Sequence, residues 1–192
     1  MRDAENQKAK RISEKAVFKT RRFIVFDSKL RIAGKTVNKP YIRQNNCSEV
    51  LAITDDGYVV LVKSYRPELD RYVYELPAGT LEGRENPKKA ARRELEEETG
   101  YIPKKVEYMF EGYPLLGYSD CKLYFYLATG LKRKSQDLEK DESIYVKLFK
   151  PADVIQMLEN RTIEDLCVLS AMHYYASAMR ARKKVILRSG FH

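Results

Sequence analysis

Apolar positions along the chain come in short, strand-like clusters over the first two thirds and at three- and four-residue spacing toward the end. Phe23, Ile24, Val25 and Phe26, then Leu30 and Ile32, a turn at Ala33-Gly34-Lys35, and Val37, Tyr41 and Ile42 predict a small antiparallel sheet within residues 17–46. Residues 1–15 are polar and predict a frayed lead-in. Residues 50–53 run into Asp55-Asp56-Gly57, a hairpin signal, and residues 58–65 follow as an apolar strand rich in Val and Leu. Residues 71–76 predict another strand. Pro77 ends it, because proline cannot donate to a ladder, and Ala78-Gly79 opens a loop.

The texture then changes. Asn86-Pro87 is a strong helix start, with Asn as N-cap and Pro at the first helical position. A helix rich in Ala, Arg, Glu and Leu is expected over 87–98, stopped by Gly100. Residues 106–110, 123–128 and 144–149 read as strands, 151–159 as a short helix, and 163 to about 182 as a long amphipathic one. This mixed order predicts an α/β fold, an α/β/α sandwich on a mixed sheet, with the small antiparallel sheet added at the N-terminal end. The expected division is a tail and sheet over 1–48, a main domain over 49–183 and a basic tail over 184–192.

Composition narrows the function. Of 192 residues 44% are apolar and 33% charged, a globular balance. No apolar run approaches the roughly 20 residues that span a bilayer, and the polar N-terminus has no hydrophobic centre, so neither a membrane partner nor a secretory signal is expected. Cys47, Cys121 and Cys167 are scattered and odd in number, as reduced thiols of a cytoplasmic protein would be. Only His173 and His192 are present, which leaves almost no material for a histidine-ligated zinc site or a Ser-His-Asp triad. The net charge is +9, but residues 1–22 hold eight bases against three acids and residues 180–192 five against none. The remaining 157 residues hold 23 bases and 24 acids. An excess confined to the tails argues against nucleic acid as the principal partner.

The chemistry concentrates between Gly79 and Tyr101. With about 100° per helical residue, Glu97 lies near −60° and Glu98 near +40° from Glu94, so three carboxylates share one arc while Glu96 points away. Such crowding disfavours a helix, and it sits at the helix end where the macrodipole is also negative. A compensating cation is implied, and oxygen ligands without His or Cys indicate Mg²⁺, with Mn²⁺ able to substitute. Ala90 and Ala91 share the side of Glu94 and Glu98 and allow close packing on a sheet. Arg93 adjoins the cluster and can orient a carboxylate.

Gly79, five residues, Glu85, seven residues, then Arg93-Glu94-Leu95-Glu96-Glu97-Glu98-Thr99-Gly100-Tyr101 resembles the Nudix box, the signature of the Nudix hydrolase family. Every charged and glycine position agrees, and Tyr101 stands where the family prefers an aliphatic residue. The resemblance implies a catalytic loop-helix-loop docked on a mixed sheet, with Glu94, Glu97, Glu98 and the Ala78 carbonyl holding Mg²⁺. It implies that Arg93 and Glu85 orient those ligands, with Glu97 also serving catalysis. Clustered divalent ions would neutralise phosphate charge and activate a water near neutral pH.

The strand ending at Arg66 and the run Tyr74-Glu75-Leu76-Pro77-Ala78-Gly79 resemble the ADP-ribose pyrophosphatase branch and its nucleotide-sugar relatives. That branch implies a homodimer through the N-terminal sheet, and substrate contacts from Arg66, Glu75 and Ser119, the last in the stretch from Gly112 to Asp120. Where ADP-ribose hydrolases typically carry a proline, this chain has Leu116, with Pro114 two places earlier. GDP-mannose or another nucleotide sugar therefore remains an alternative. Family members add a carboxylate from a late loop, for which Glu139 and Glu142 are the candidates here, while Lys140 falls where relatives place a catalytic glutamate. The expected activity is Mg²⁺-dependent hydrolysis of a nucleoside diphosphate sugar, ADP-ribose first, to a nucleoside monophosphate and a sugar phosphate. An RNA-end or cap pyrophosphohydrolase is a second reading, and a catalytically silent nucleotide-binding module a third.

Overall fold

The computed structural model describes residues 9–136, 138 and 143–189, with side chains described through residue 180. The chain divides into two compact units, one made of residues 1–46 and 112–123, the other of residues 47–111 and 124–192.

The first unit is a four-stranded antiparallel sheet: β1 (Lys10–Lys19), β2 (Phe23–Ile32), β3 (Lys35–Asn38) and β4 (Tyr41–Gln44). β2 is central, pairing β1 on one edge and β3 and then β4 on the other. The turn at Ala33-Gly34 takes positive φ at both residues, 50° and 77°, as a two-residue hairpin of this twist requires. β1 begins at Lys10, earlier than polarity suggests, because pairing with β2 orders a segment whose apolar residues are largely exposed. Residues 112–123 dock on β4. Ile42 N–H donates to the Tyr118 carbonyl (2.7 Å), Asp120 N–H to the Ile42 carbonyl (3.2 Å), and Arg43 reaches Asp120 (3.4 Å). Arg43 also bonds Glu14 (3.2 Å) and Tyr41, tying β1 and β4 to this loop.

The second unit holds a seven-stranded sheet. Its strands are β5 (Cys47–Ile53), β6 (Val59–Arg66), β7 (Arg71–Glu75), β8 (Ala78–Thr80), β9 (Tyr101–Gly112), β10 (Leu123–Arg133) and β11 (Ile144–Phe149). The order β11-β6-β5-β10-β9 forms its spine, with β7 on β6 and β8 on β5. The β5–β6 hairpin turns at Gly57, whose φ is 81°, and the Gly57 N–H donates to the Thr54 carbonyl. β5 and β6 pair only next to this turn, at Ala52–Val60 and Ile53–Val59. Beyond it they part: β6 continues on β7, and β5 on β8.

Pro77 sits at that crossover. Sequence reading ends a strand there and opens a loop, yet pairing resumes at Ala78, because Pro77 lies between two strands with different partners and no ladder bond is asked of its nitrogen. Its carbonyl accepts from Val50 N–H (2.9 Å) instead.

Three helices follow: α1 (Pro87–Thr99), α2 (Pro151–Glu159) and α3 (Leu166–Ser189). α1 starts as expected, with the Asn86 side chain accepting from Lys88 N–H, and ends on Gly100 at φ 69°. Ala91 and Leu95 are buried against Val50, Ala52, Val60, Val106, Tyr126 and Ala128, and Ala90 is buried as well. β5 is buried on both faces from Ser48 onward, with α1 on one side and α3 also packed on this strand, which makes the sandwich. α3 begins at Leu166 rather than 163, because Asp165 caps it through the N–H groups of Cys167 and Val168, both at 3.1 Å. Ile163 is buried just ahead of that cap, so the apolar spacing extends past the helix that produces it. No helix among the described residues is long and apolar enough to cross a membrane.

Leu95 is fully buried at the centre of this packing. Leu95→Ala is expected to destabilise the protein by roughly 2–5 kcal/mol in urea titrations, with an unchanged slope.

Candidate active site

The parting of β5 and β6 and the placement of β8 beside β5 bring the acidic half of α1 against the Ala78–Thr80 segment. Gly79 is where they come closest. A Cβ built on Gly79 would run into the Glu94 carboxylate, so the missing side chain is the space that Glu94 occupies. Ala78 N–H donates to Glu98 Oε2 (3.0 Å), and Glu98 is buried. Ser48 Oγ donates to the Pro87 carbonyl (2.8 Å), which fixes the start of α1 to the same strand.

Arg93 is the hub. Its guanidinium bonds Glu85 through Nε (3.2 Å) and NH2 (3.0 Å), Glu97 through NH1 (3.0 Å), and pairs with Glu94 (2.8 Å). A further bond reaches the Thr80 carbonyl (3.3 Å), so a single side chain joins loop, strand and helix. The hydrogen bonds to Glu85, with the charges of Glu94 and Glu97, hold the guanidinium pKa well above its ordinary value. Reciprocally, the bond from Arg93 holds the Glu85 carboxyl below its ordinary range. Glu94 is nearly enclosed, its side chain 13% exposed, whereas Glu97 at 42% faces solvent. Among the described residues no three His, Cys, Asp or Glu side chains form a ready-made set around one cation. Arg93 draws Glu94 and Glu97 to itself, and Glu98 turns to the Ala78 amide. The donors present nevertheless fit a hard divalent cation. They are carboxylate oxygens on adjacent turns, and the Gly79 space lets one of them approach the backbone.

Arg66 and Glu75 meet beside this group at the ends of β6 and β7. Arg66 Nε lies 2.9 Å from both Glu75 oxygens, and its NH2 lies 2.9 Å from Oε2. Burial pulls the Arg66 pKa down, but its bond to Glu75 and the charges of Glu75, Glu68 and Glu98 outweigh it. The Glu98 contribution places Arg66 within electrostatic reach of α1's acidic end. Burial lifts the Glu75 carboxyl despite that partner.

Sequence reasoning misses what lies behind them. Glu49 is a buried acid in the apolar run of β5, and burial, then the charge of Asp165, raises its pKa well above the ordinary 4.5. The Cys167 thiol bonds it, and burial pushes that thiol up as well. Asp165 is raised by burial even though it caps α3. The detectable signals are a lone acid inside 47–53 and an Asp just before a periodic apolar run. Of the other candidates, Ser119 belongs to the first unit, where its Oγ accepts from Cys121 N–H (3.1 Å). Glu139 and Glu142 lie outside the described residues.

Residues 48–170 match the NUDIX domain, nearly two thirds of the chain. The chain belongs to the Nudix hydrolase family. It is a Nudix pyrophosphohydrolase, and the Arg93 hub is its signature helix seen in three dimensions. An ADP-ribose pyrophosphatase of Bacillus subtilis (strain 168) is 34% identical over 154 residues, covering 78% of this chain and 83% of that protein. A methanol dehydrogenase activator of Bacillus methanolicus is 33% identical over 143 residues, covering 73% and 77%. A crystal structure of an ADP compounds hydrolase superposes with a TM-score of 0.80 over 92% of this chain and 96% of that one, at 21% identity, which shows a shared fold.

Two outcomes test this Nudix site. Gly79→Ala is expected to displace the Glu94 carboxylate, the mobile end of a side chain. Turnover should fall by about tenfold or more while the melting temperature stays within a few degrees. Glu49 binds a proton in the folded chain at pH values where the unfolded chain has lost it, so stability falls as pH rises above about 4.5. Glu49→Gln should flatten that decline in melting scans from pH 5 to 8 run in EDTA; an unchanged slope would mean Glu49 does not cause it.

Proposed function

We propose that the protein hydrolyses the pyrophosphate bond of a nucleoside diphosphate sugar, with ADP-ribose as first substrate and Mg²⁺ as the metal, releasing a nucleoside monophosphate and a sugar phosphate. The observation that carries this reading is the Arg93 hub, which gathers Glu85, Glu94 and Glu97 beside the Glu98–Ala78 bond and the Arg66–Glu75 pair. The Bacillus subtilis relative, an ADP-ribose pyrophosphatase matched over most of both chains, supports the choice of substrate.

In this reading Glu94, Glu97, Glu98 and the Ala78 carbonyl hold Mg²⁺, which when bound neutralises phosphate charge and lowers the pKa of a water. Arg93 and Glu85 keep the carboxylates aimed: removing Arg93 leaves like charges adjacent on α1, and removing Glu85 takes away the partner that holds the guanidinium in place. Glu97, the most exposed of the three ligands, stands nearest to solvent water, and Glu139 and Glu142 are the further candidates for proton transfer. Arg66 meets phosphate and Glu75 fixes Arg66, with Ser119 assigned to the substrate as well. GDP-mannose or another nucleotide sugar is the alternative, since Leu116, 75% exposed, replaces the branch's proline.

The assigned setting is cytoplasmic and the assigned assembly a homodimer through residues 1–48, with catalysis in 49–183 and a basic tail beyond. β1 supports the dimer: it is an edge strand with Ile12, Val17 and Phe18 about half exposed, a surface that proteins ordinarily cover.

Purified protein with Mg²⁺ is expected to release AMP from ADP-ribose faster than it cleaves GDP-mannose or UDP-glucose, and EDTA should stop it. Glu98→Gln retains an acceptor for Ala78 N–H but not the charge. It should lower kcat by about a hundredfold or more with the fold intact. Turnover that survives this substitution would remove Glu98 from the metal site.

A further inference from the structure

The C-terminal end of α1 has a second attachment, separate from the Arg93 hub. Just past β10 the chain passes against Gly100, and Lys134 N–H donates to the Gly100 carbonyl (2.6 Å). The approach is close. A Cβ on Gly100 would stand 2.3 Å from the Lys134 carbonyl oxygen, 2.9 Å from the Ser135 carbonyl carbon and 3.0 Å from the Gln136 nitrogen. All three are backbone atoms, which cannot swing aside as the end of a side chain can. Gly100 therefore does more than end the helix at positive φ: its bare Cα is the seat of residues 134–136.

That seat aims one side chain. Gln136 Nε2 donates to the Glu98 carbonyl (2.5 Å) and to the Ile144 carbonyl (3.4 Å). Both neighbours are acceptors, so the amide presents its nitrogen to them, and its two N–H groups match the two carbonyls. The Glu98 carbonyl is among the last four of α1, which find no partner within a helix. Glu98 is thus fixed twice, its carboxylate by Ala78 N–H (3.0 Å) and its carbonyl by Gln136. On the other side, Ile144 opens β11 and pairs with Ser64 of β6, two residues before Arg66. One amide side chain therefore connects the residue that carries the Glu98 carboxylate with the strands that lead to Arg66.

We propose that Gln136 is a positioning residue for pyrophosphate cleavage: by joining the Glu98 and Ile144 carbonyls it sets the spacing between the Glu98 carboxylate and the Arg66–Glu75 pair. The assignment rests on Glu98 and Arg66 acting on the same diphosphate, as the proposed reaction has it. Gln136 is exposed, so its bonds add little to global stability. Their effect is local, on the last turn of α1, the part of a helix that frays most readily and here the part that crowds Glu94, Glu97 and Glu98 together.

The test compares the parent with Gln136→Met, which keeps the length and removes both donors, and Gln136→Lys, which restores N–H donors at the helix end where a cation is favoured. With ADP-ribose and Mg²⁺, Gln136→Met is expected to lose about fivefold or more in kcat, with KM within about twofold and the melting temperature within a few degrees. Gln136→Lys should recover kcat to within about twofold of the parent, because donors rather than shape are what the site uses. Hydrogen exchange at the Ala78 amide in EDTA gives a readout free of catalysis and metal, since that N–H is bonded to the Glu98 carboxylate. It should accelerate by about fivefold or more in Gln136→Met while the amides of buried β6 keep their rates. An unchanged kcat, a loss carried by KM, or unaltered Ala78 exchange would overturn the positioning role. If the parent does not turn over ADP-ribose, the proposed substrate falls, and Ala78 exchange in the two variants decides whether Gln136 holds Glu98.

Discussion

Everything at the active end of this protein depends on one electrostatic constraint: Glu94, Glu97 and Glu98 sit within two turns at the negative end of a helix. Without compensation these charges repel one another and the carbonyl ends of α1. Arg93 supplies the compensation from inside the same helix, and because it also reaches Glu85 and the Thr80 carbonyl, it converts a local charge problem into a tertiary bracket. An arginine suits this position because its planar fork serves several acceptors at once, which an ammonium on a flexible stem would do with less geometric control.

The bracket works only because the sheet opens at the right place. β5 and β6 separate after two residue pairs, and the crossover at Leu76-Pro77 delivers β8 to β5. Gly79 then lies under Glu94 with no side chain between them. The same opening leaves Glu49, Glu75 and Asp165 in a weakly solvated region whose one described cation with a resolved role is Arg66. Burying so many acids is unfavourable while they are charged, and their raised pKa values are the measure of that cost. The cost is tolerable where the groups share protons and hydrogen bonds, as Glu49 does with Cys167 and Asp165 with two amides at the start of α3.

The helix, its two caps and the charged face of α1 were legible in the sequence because each is a short-range pattern. Asn-Pro starts the helix, Gly stops it, and a helical turn angle sets which glutamates share a side. The hairpin at Asp55-Asp56-Gly57 was legible for the same reason. What was hidden is set by partners distant in sequence. β8 is three residues long and exists because β5 is beside it, and β1 is ordered by pairing with β2 rather than by burial of its apolar residues. Glu49 stands more than a hundred residues before Asp165 and Cys167 and meets them only through α3 packing on β5.

That division has a physical consequence for where such a protein can vary. Arg93, Glu94, Glu97 and Glu98 stand on a helix whose position is fixed by buried contacts, so altering them disturbs packing and charge together. Leu115, Leu116 and Tyr118 are instead exposed, on a loop of the first unit fastened to β4 by backbone bonds and by Arg43–Asp120. Lys88 and Lys89 are exposed on a helix already secured along its other face. Substitutions at these positions meet solvent rather than core, and surface changes ordinarily shift stability by no more than about 0.5 kcal/mol. Changes at these positions can therefore accumulate while the Arg93 bracket and the opening in the sheet stay as they are.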